Sequence, residues 1–484
     1  MSTQSSQSFQ DDLVLVFGPE SRGDTPSERA RTSSRRFVRS QDHLAVFRKS
    51  ATGRVLSAWE AYSVFGFDML KQVTQEGIVP LVCDEREPAS TLRERRQELG
   101  LDKKDLAKFL DIAEVEIDNA EDSSKRNPIS VLERIARVLG LDDGRLSLEK
   151  GCRGDQLLAV RLRALRTERP YIGPRAALAF SEAAWIIDTQ YRLAAWLSTS
   201  GKSSIKDRFE PSENYGSTGY PAWQHGYFLA HKTRELLGID EDAPIVSLRQ
   251  VCEETLQIPI IQIKLPPQIA GATIAVGDRR GIVVNLEGDN KNEWVRRVTI
   301  AHELGHLLWD PDGFLKELRV DDYSEINDVM REGSTSESAD PYIEQRANAF
   351  AIEFLAPQSE VERVFARETP GNLRKVMEHF GLSFTSARFQ VWNSLSGRIP
   401  LESIKVSDTS PTDEWKAAET FAIDYFEPDS VPFSRRGRFA GYVVEAEKRA
   451  LITANTAAEY LACSSAEYEQ SSKFITDIYP GLKG

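Results

Sequence analysis

Residues 294–309 read WVRRVTIAHELGHLLW, and this stretch decides how the rest of the chain is interpreted. It holds His302 and His306 four positions apart, with Glu303 directly after the first histidine. Positions i and i+4 of an α-helix lie on one face about one turn apart, so both imidazoles can reach one cation. The apolar residues on either side predict a buried helix from about residue 291 to 308.

Glu303 is set about 100° around that helix from His302, so its carboxylate can reach a water on the metal rather than the metal itself. Zn²⁺ held by three protein ligands keeps a fourth position for water and lowers the pKa of that water to about 7. Glu303 can then take the proton of the water and pass it to a leaving amine. The pattern therefore predicts one zinc ion per chain, with Glu303 as the catalytic base.

The alternative interpretation of residues 302–306 is an ordinary amphipathic helix with two half-buried histidines. The chain has 484 residues and six histidines. At that histidine frequency, H-E-x-x-H arises by chance in about one such sequence in a hundred. We therefore favour the metal site.

A third ligand is expected from a neighbouring helix, and Glu344 in the stretch EQRANAFA is the best candidate. Ala347 and Ala351 follow it at i+3 and i+7, which allows this helix to approach another one closely. Asn348, one turn after Glu344, can hydrogen-bond a metal ligand from outside the first coordination shell. The remaining histidines lack a ligand-like partner at helical spacing: His43, His225, His231 and His379.

The surrounding block, residues 222–400, has the most regular pattern of the chain. Helices are expected near residues 226–237, 248–255 and 343–355, and strands at 258–263, 272–276 and 282–286. Four pieces of this block stand in the order LLGIDEDAPIVSL, IAGATIAVGDRRGIVVN, RRVTIAHELGHLLW and EQRANAFAIEFLAP. Together they resemble the ImmA/IrrE family of zinc metallopeptidases, which cleave helix-turn-helix repressors of phage, mobile-element and stress genes.

This resemblance implies that His302, His306 and Glu344 are the zinc ligands, as in gluzincins, and that Glu303 is the catalytic glutamate. It also implies a zincin-like domain in which a small three-stranded sheet packs on the H-E-x-x-H helix. A substrate strand could add to the edge of that sheet, which we expect around residues 270–276. Tyr323 and Tyr342 are the candidates for stabilising the transition state.

A second resemblance covers residues 91–140. The stretches TLRERRQELGL, KKDLAKFLDI, AEVEIDNAED and NPISVLERIARVLGL are similar to successive helices of the Xre-like, phage-repressor type of helix-turn-helix domain. In that all-α fold the third helix enters the major groove of DNA. Six basic residues on the first two helices are candidate phosphate contacts: Arg93, Arg95, Arg96, Lys103, Lys104 and Lys108.

The recognition segment departs from the family pattern in its charge. It carries Glu114, Glu116, Asp118, Glu121 and Asp122 and has no Arg, Lys or Gln. From 89 to 145 there are eleven Lys and Arg against thirteen Asp and Glu, a net charge of −2. Such a helix meets phosphate repulsion, although a carboxylate can accept a hydrogen bond from cytosine. Operator binding and a partner-docking role therefore both remain open.

Composition and charge limit which partners and which compartment these motifs can serve. The whole chain has a formal charge of −13, so any contact with DNA must come from a local patch. The polar N-terminus lacks a secretory signal and no stretch is apolar for long enough to span a membrane, so we expect a cytoplasmic protein.

The expected fold class is multidomain, mainly α with α+β parts. The expected segments are 1–86 (small α+β), 87–146 (helix-turn-helix), 147–221 (helical connector and linker), 222–400 (metallopeptidase) and 401–484 (mixed and helical).

Three functional hypotheses follow. In the first, the protein cleaves a helix-turn-helix repressor or an antitoxin-like protein and relieves repression. In the second, it is a DNA-binding transcriptional regulator whose metal domain acts as a sensor. In the third, the helix-turn-helix is a docking module and the protein is a defence or toxin-like protease that a stress signal activates. The sequence leaves open whether the chain forms a homodimer.

Overall fold

A computed structural model of the chain describes residues 2–81, 84–148, 156–197, 209–211, 221–276, 279–315, 318–323, 341–367, 372–406, 408–419 and 429–479. The chain forms two compact units. Unit 1 comprises residues 1–201 and 426–484, and unit 2 comprises residues 202–425. The predicted C-terminal segment, 401–484, therefore contributes to both units.

The predicted fold class agrees with the structure, which is mainly helical and has two small sheets in the described residues. None of the described helices is long and apolar enough to cross a membrane. Of the linker predicted within 198–221, only 209–211 and 221 lie in the described part of the chain.

The first part of unit 1 is a four-stranded antiparallel sheet with helices beside it. The strand order is β3-β1-β2-β4. A capping box joins β3 to the helix that follows, because Ser57 Oγ accepts from Glu60 N and the Glu60 carboxylate accepts from Ser57 N. The bounds are α1 Ser2–Phe17, α2 Pro26–Thr32, β1 Arg36–Arg39, β2 His43–Val46, β3 Arg54–Ser57, α3 Ala58–Glu76 and β4 Ile78–Pro80.

The segment expected to form a helix-turn-helix contains four α-helices and a closing 3-10 turn, Asp143–Arg145. Asp102 caps the N-terminus of the second helix, since its side chain accepts from Asp105 N at 2.7 Å, and Asp111 caps the C-terminus in the left-handed conformation. Membership of the Xre-like family stays a prediction for this segment. The bounds are α4 Ala89–Glu98, α5 Lys103–Leu110, α6 Glu114–Ala120 and α7 Ile129–Val138.

A buried charge network holds the sheet of unit 1 to α7. Glu133 of α7 is fully buried and accepts from Arg39 at 3.1 Å and from Arg54 at 2.6 Å. Arg137, one turn later, donates to Asp143 at 2.9 Å. Buried charges need such pairing to offset their desolvation. The unit is completed by α8 Gln156–Glu168, α9 Pro174–Leu197 and the C-terminal helices Arg438–Lys448, Ala454–Tyr460 and Ser465–Ile478.

Unit 2 is built on a mixed sheet with the strand order β5-β7-β6-β8. The strand β5 is parallel to β7, while β6 is antiparallel to both β7 and β8. The expected three-stranded sheet is thus wrong by one strand. The expected edge is also wrong, because β6 is central and the edges of the sheet, as far as it is described, are β5 and β8. The bounds are β5 Ile260–Ile263, β6 Ile269–Val276, β7 Arg279–Asn285 and β8 Leu318–Asp322.

Two glycines allow three helices of unit 2 to pack tightly. A Cβ at Gly226 would lie 2.4 Å from the carbonyl oxygen of Arg346, and one at Gly305 would lie 2.7 Å from the ring of Phe350. Both glycines therefore sit where the backbone of one helix approaches another too closely for a side chain. The helices of this unit are α10 Ala222–Leu237, α11 Glu293–Trp309, α12 Pro341–Leu355, α13 Gln358–Arg367, α14 Leu373–Phe380, α15 Phe384–Ser394 and α16 Asp413–Glu419, besides short turns at Leu248–Gln250 and Asp312–Leu315.

Candidate metal centre

The helix α11 places the two histidines of the HELGH stretch side by side. Asn292 caps its N-terminus by accepting a hydrogen bond from Trp294 N at 2.9 Å. His302 and His306 are both fully buried, and their Nε2 atoms lie 3.0 Å apart. The predicted convergence of the two imidazoles is therefore present in the structure.

Glu344 lies at the first turn of α12 and reaches the same point. Its Oε2 is 3.5 Å from His302 Nε2 and 3.9 Å from His306 Nε2, and the residue is fully buried. With bonds of about 2.0–2.2 Å, ligands at the corners of a tetrahedron around zinc lie about 3.3–3.6 Å apart. The three side chains that sequence reasoning chose thus stand close to the spacing that one zinc ion requires.

A fourth donor, Asp321 on β8, joins these three and was missed by sequence reasoning. Its Oδ2 lies 3.7 Å from His302 Nε2 and receives no hydrogen bond from the described residues. Donor atoms of Asp321, Glu344 and the two histidines all lie within 4.8 Å of one another. A buried carboxylate oxygen without a donor is costly, and a cation satisfies it. The donor set of two imidazoles and two carboxylates fits zinc.

The protonation states at this centre also favour a metal. Burial lowers the pKa of His306 well below its usual range, and the neighbouring Arg319 and His302 add to that effect. Burial would raise the pKa of Asp321, but the guanidinium of Arg319 beside it holds that pKa well below its usual range. Neutral imidazole and ionised carboxylate are the forms that bind metal ions.

Each imidazole is held in place through its other ring nitrogen. His302 Nδ1 lies 2.9 Å from Asn348 Oδ1, the residue that the sequence singled out for such a role. His306 Nδ1 lies 2.8 Å from Asp310 Oδ2, and Asp310 also pairs with Arg346. Partners of this kind fix the ring orientation and raise the basicity of the metal-binding nitrogen. Asp310 was missed, although its position four residues after His306 was a usable signal.

Glu303 occupies a space that a glycine leaves open. The residue is fully buried, and a Cβ on Gly271 of β6 would lie 2.6 Å from its Oε1. Gly271 also pairs with Asp321 across the strands β6 and β8, so positions 271 and 321 face the same side of the sheet. Glu303 is therefore held between α11 and the sheet, beside the group of donors.

Arg319 is the second residue of β8 that the sequence did not reveal. Its Nε lies 3.2 Å from Asp321 Oδ1, and its guanidinium also contacts Glu344. The side chain is 19% exposed, whereas the donors around it are buried. Arg319 thus forms the outer wall of the centre and links the two carboxylates.

The two tyrosines proposed as transition-state stabilisers have other partners. Tyr323 Oη donates to the carbonyl of Glu287 at 2.8 Å and accepts from Asn290 N at 3.0 Å. Tyr342 Oη lies 3.1 Å from His225 Nδ1. Neither contact involves the group of donors, so the structure gives no support for a catalytic role of either hydroxyl.

The six candidate DNA contacts differ in how accessible they are. Arg95 is buried and donates to the carbonyl of Leu139 at 3.0 Å, and Arg96 is buried against Glu121 at 2.6 Å. These two side chains are committed to the fold, so they cannot serve as phosphate contacts. Lys103 bonds Asp118 and Arg93 donates to the Glu121 carbonyl, while Lys104 and Lys108 are exposed.

Unit 2 has the features of a metallopeptidase-type domain. It combines a helix with H-E-x-x-H, a glutamate from a second helix and a sheet alongside. Residues 256–391 match the family model described as the IrrE N-terminal-like domain, Peptidase_M78. The match contains all the donors named above and supports the predicted ImmA/IrrE resemblance for this part of the chain. It does not extend to residues 87–146. A comparison with curated proteins finds no match.

Proposed function

We propose that this protein is a zinc-dependent metalloendopeptidase that cleaves a helix-turn-helix repressor or an antitoxin-like protein. Such cleavage would relieve repression in the control of stress, phage or mobile-element genes. The observation that carries the proposal is the meeting of His302, His306 and Glu344 at close to tetrahedral spacing, with Glu303 buried beside them.

The chain supplies both the ligands and the proton transfer that peptide hydrolysis needs. Zinc bound here would lower the pKa of a coordinated water to about 7 and polarise the scissile carbonyl. Glu303 accepts the proton of the attacking water and delivers it to the leaving amine. Gly271 keeps the space for this carboxylate, and Asn348 and Asp310 hold the two imidazoles.

The sheet suggests how a substrate segment is held. Strand β8 pairs with β6 on one side and is an edge of the described sheet on the other. Two of its residues, Arg319 and Asp321, reach the metal centre. An extended substrate segment that adds to β8 would therefore place a peptide bond near the donors, with its backbone hydrogen bonds supplying affinity.

The test uses the pure, zinc-loaded full-length protein and the helix-turn-helix proteins encoded beside its gene. We expect one discrete cut, which Glu303→Gln abolishes while zinc measured by mass spectrometry stays stoichiometric. His302→Ala and His306→Ala should each lose zinc, and Glu344→Ala should bind zinc more weakly than the unmodified protein in a chelator competition, because each change removes one of the donors. A zinc affinity of Glu344→Ala equal to that of the unmodified protein would exclude Glu344 as a ligand, and a cut that survives Glu303→Gln would exclude the proposed base.

A further inference from the structure

The metal centre has one more protein donor than a catalytic zinc site uses. Catalytic sites take three protein ligands and leave the fourth position to water, whereas sites with four protein ligands are closed. Here Asp321 stands beside the two histidines and Glu344, with all four donors within 4.8 Å of one another. Its distance of 3.7 Å from His302 Nε2 is comparable to the 3.9 Å between Glu344 and His306.

The position of Asp321 within the sheet shows which side of the metal it occupies. It pairs across the strands with Gly271, the residue whose missing side chain makes room for Glu303. Asp321 and Glu303 therefore lie on the same side of the group of donors, where the attacking water must stand. A carboxylate in that place competes with the water for the metal.

Asp321 also has an alternative partner on its own strand, the guanidinium of Arg319. Arg319, two residues earlier on β8, bonds Asp321 Oδ1 at 3.2 Å, while Oδ2 is the atom that points to His302. Residues i and i+2 of a strand face the same side, so the aspartate can turn toward the guanidinium without breaking the strand. Both residues lie on an edge strand, where a bound peptide can shift them.

We infer that Asp321 is a fourth zinc ligand that closes the metal in the resting protein, and that a substrate segment pairing with β8 releases it toward Arg319. The inference rests on the proposed function, since it needs a metal at this site. Asp321 would then keep the basal activity low, and binding of the substrate would remove this inhibition.

The test reads the coordination of the metal rather than proteolysis. Co²⁺ replaces zinc in the full-length protein, and azide or acetohydroxamate is titrated while the visible absorption of the cobalt is followed. We expect the unmodified protein to bind either probe weakly and Asp321→Ala to bind it at least about ten times more tightly, because the fourth position has become open. Asp321→Asn, which keeps the shape but is a weaker ligand, should change in the same direction.

Asp322→Ala is the matched control, since it removes the same charge one residue along the same strand. It should leave the affinity of the probe unchanged. Equal affinity of the cobalt-loaded unmodified protein and both Asp321 variants would overturn the inference but leave the proposed endopeptidase intact. A full-length protein that binds no cobalt would overturn both.

Discussion

A buried ion pair between the metal-binding helix and α16 offers a test that needs no substrate. Arg297 of α11 is fully buried, pairs with Glu419 of α16 and stacks on the Trp415 ring with 4.4 Å to its centroid. It also donates to the backbone carbonyls of Gly381 and Val246, each at 3.1 Å. This one side chain thus ties three segments to the helix that holds the metal ligands.

The perturbation is Glu419→Gln, which keeps the shape of the side chain and removes its charge. Removing one partner of a buried pair leaves the other charge without compensation, and this costs about 3–5 kcal/mol of unfolding free energy. For a unit of about 150–250 residues each kcal/mol lowers Tm by about 2–4 °C, so we expect the transition of unit 2 to fall by about 6–20 °C.

Thermal unfolding followed by calorimetry measures this loss. The control is Asp413→Asn on the same helix, because Asp413 is fully exposed and its pair with Lys416 contributes little. A truncation after residue 400, the predicted end of the metallopeptidase segment, removes Glu419 and should be at least as unstable. A Tm of Glu419→Gln equal to that of the control would refute the importance of this pair.

Three further predictions concern the site and its surroundings. Asp310→Ala should lower zinc affinity about 10–100-fold in a chelator competition, because one imidazole loses its orienting acceptor; unchanged affinity would contradict this. Gly271→Ala should displace the Glu303 carboxylate, because the added Cβ would lie 2.6 Å from its Oε1, and reduce cleavage about 100-fold while zinc is retained; full activity would argue against the assigned base. The pKa of His231 is raised, first because Glu353 accepts its hydrogen bond. The stability that this histidine adds is therefore full below a pH of about 6.5 and lost as the pH rises through its raised pKa, so His231→Gln should lower Tm at acidic pH only.

The local part of the metal centre could be predicted from the sequence. Helical spacing alone places His302 and His306 on one face of a helix, and Glu344 and Asn348 on one face of another. In the structure all four residues lie at the metal centre. Asp321 belongs to a strand of only five residues, LRVDD, whose three charged side chains hide any alternation of apolar and polar positions. It reaches the site through pairing with β6, and such non-local pairing leaves no period in the sequence.

The order of strands in the sheet of unit 2 could not be predicted for the same reason, since it depends on pairing between distant segments. The apolar run of β6 correctly predicted a strand, and its first six residues are all buried. Whether that strand is central or an edge depends on its second neighbour, β8, which has a weak pattern of its own. The missing strand therefore produced two errors together, the number of strands and the edge that is open to a substrate.

The basic residues of the segment 87–146 do less for DNA binding than their number suggests. Arg96 holds Glu121, and Lys103 holds Asp118 at the end of α6, so these cations stabilise the acidic third helix instead of facing a phosphate. Affinity for DNA grows with the number of phosphates that a protein neutralises. Lys104 and Lys108 remain exposed, as do Lys125 and Arg126 directly after this helix, but the helix itself repels phosphate. We therefore expect the full-length protein to bind DNA only in the non-specific range, about 10⁻⁴–10⁻⁶ M at physiological salt, in a fluorescence anisotropy salt series. Nanomolar, sequence-selective binding would show instead that the carboxylates of this helix read bases, and the partner-docking interpretation of the segment would then be wrong.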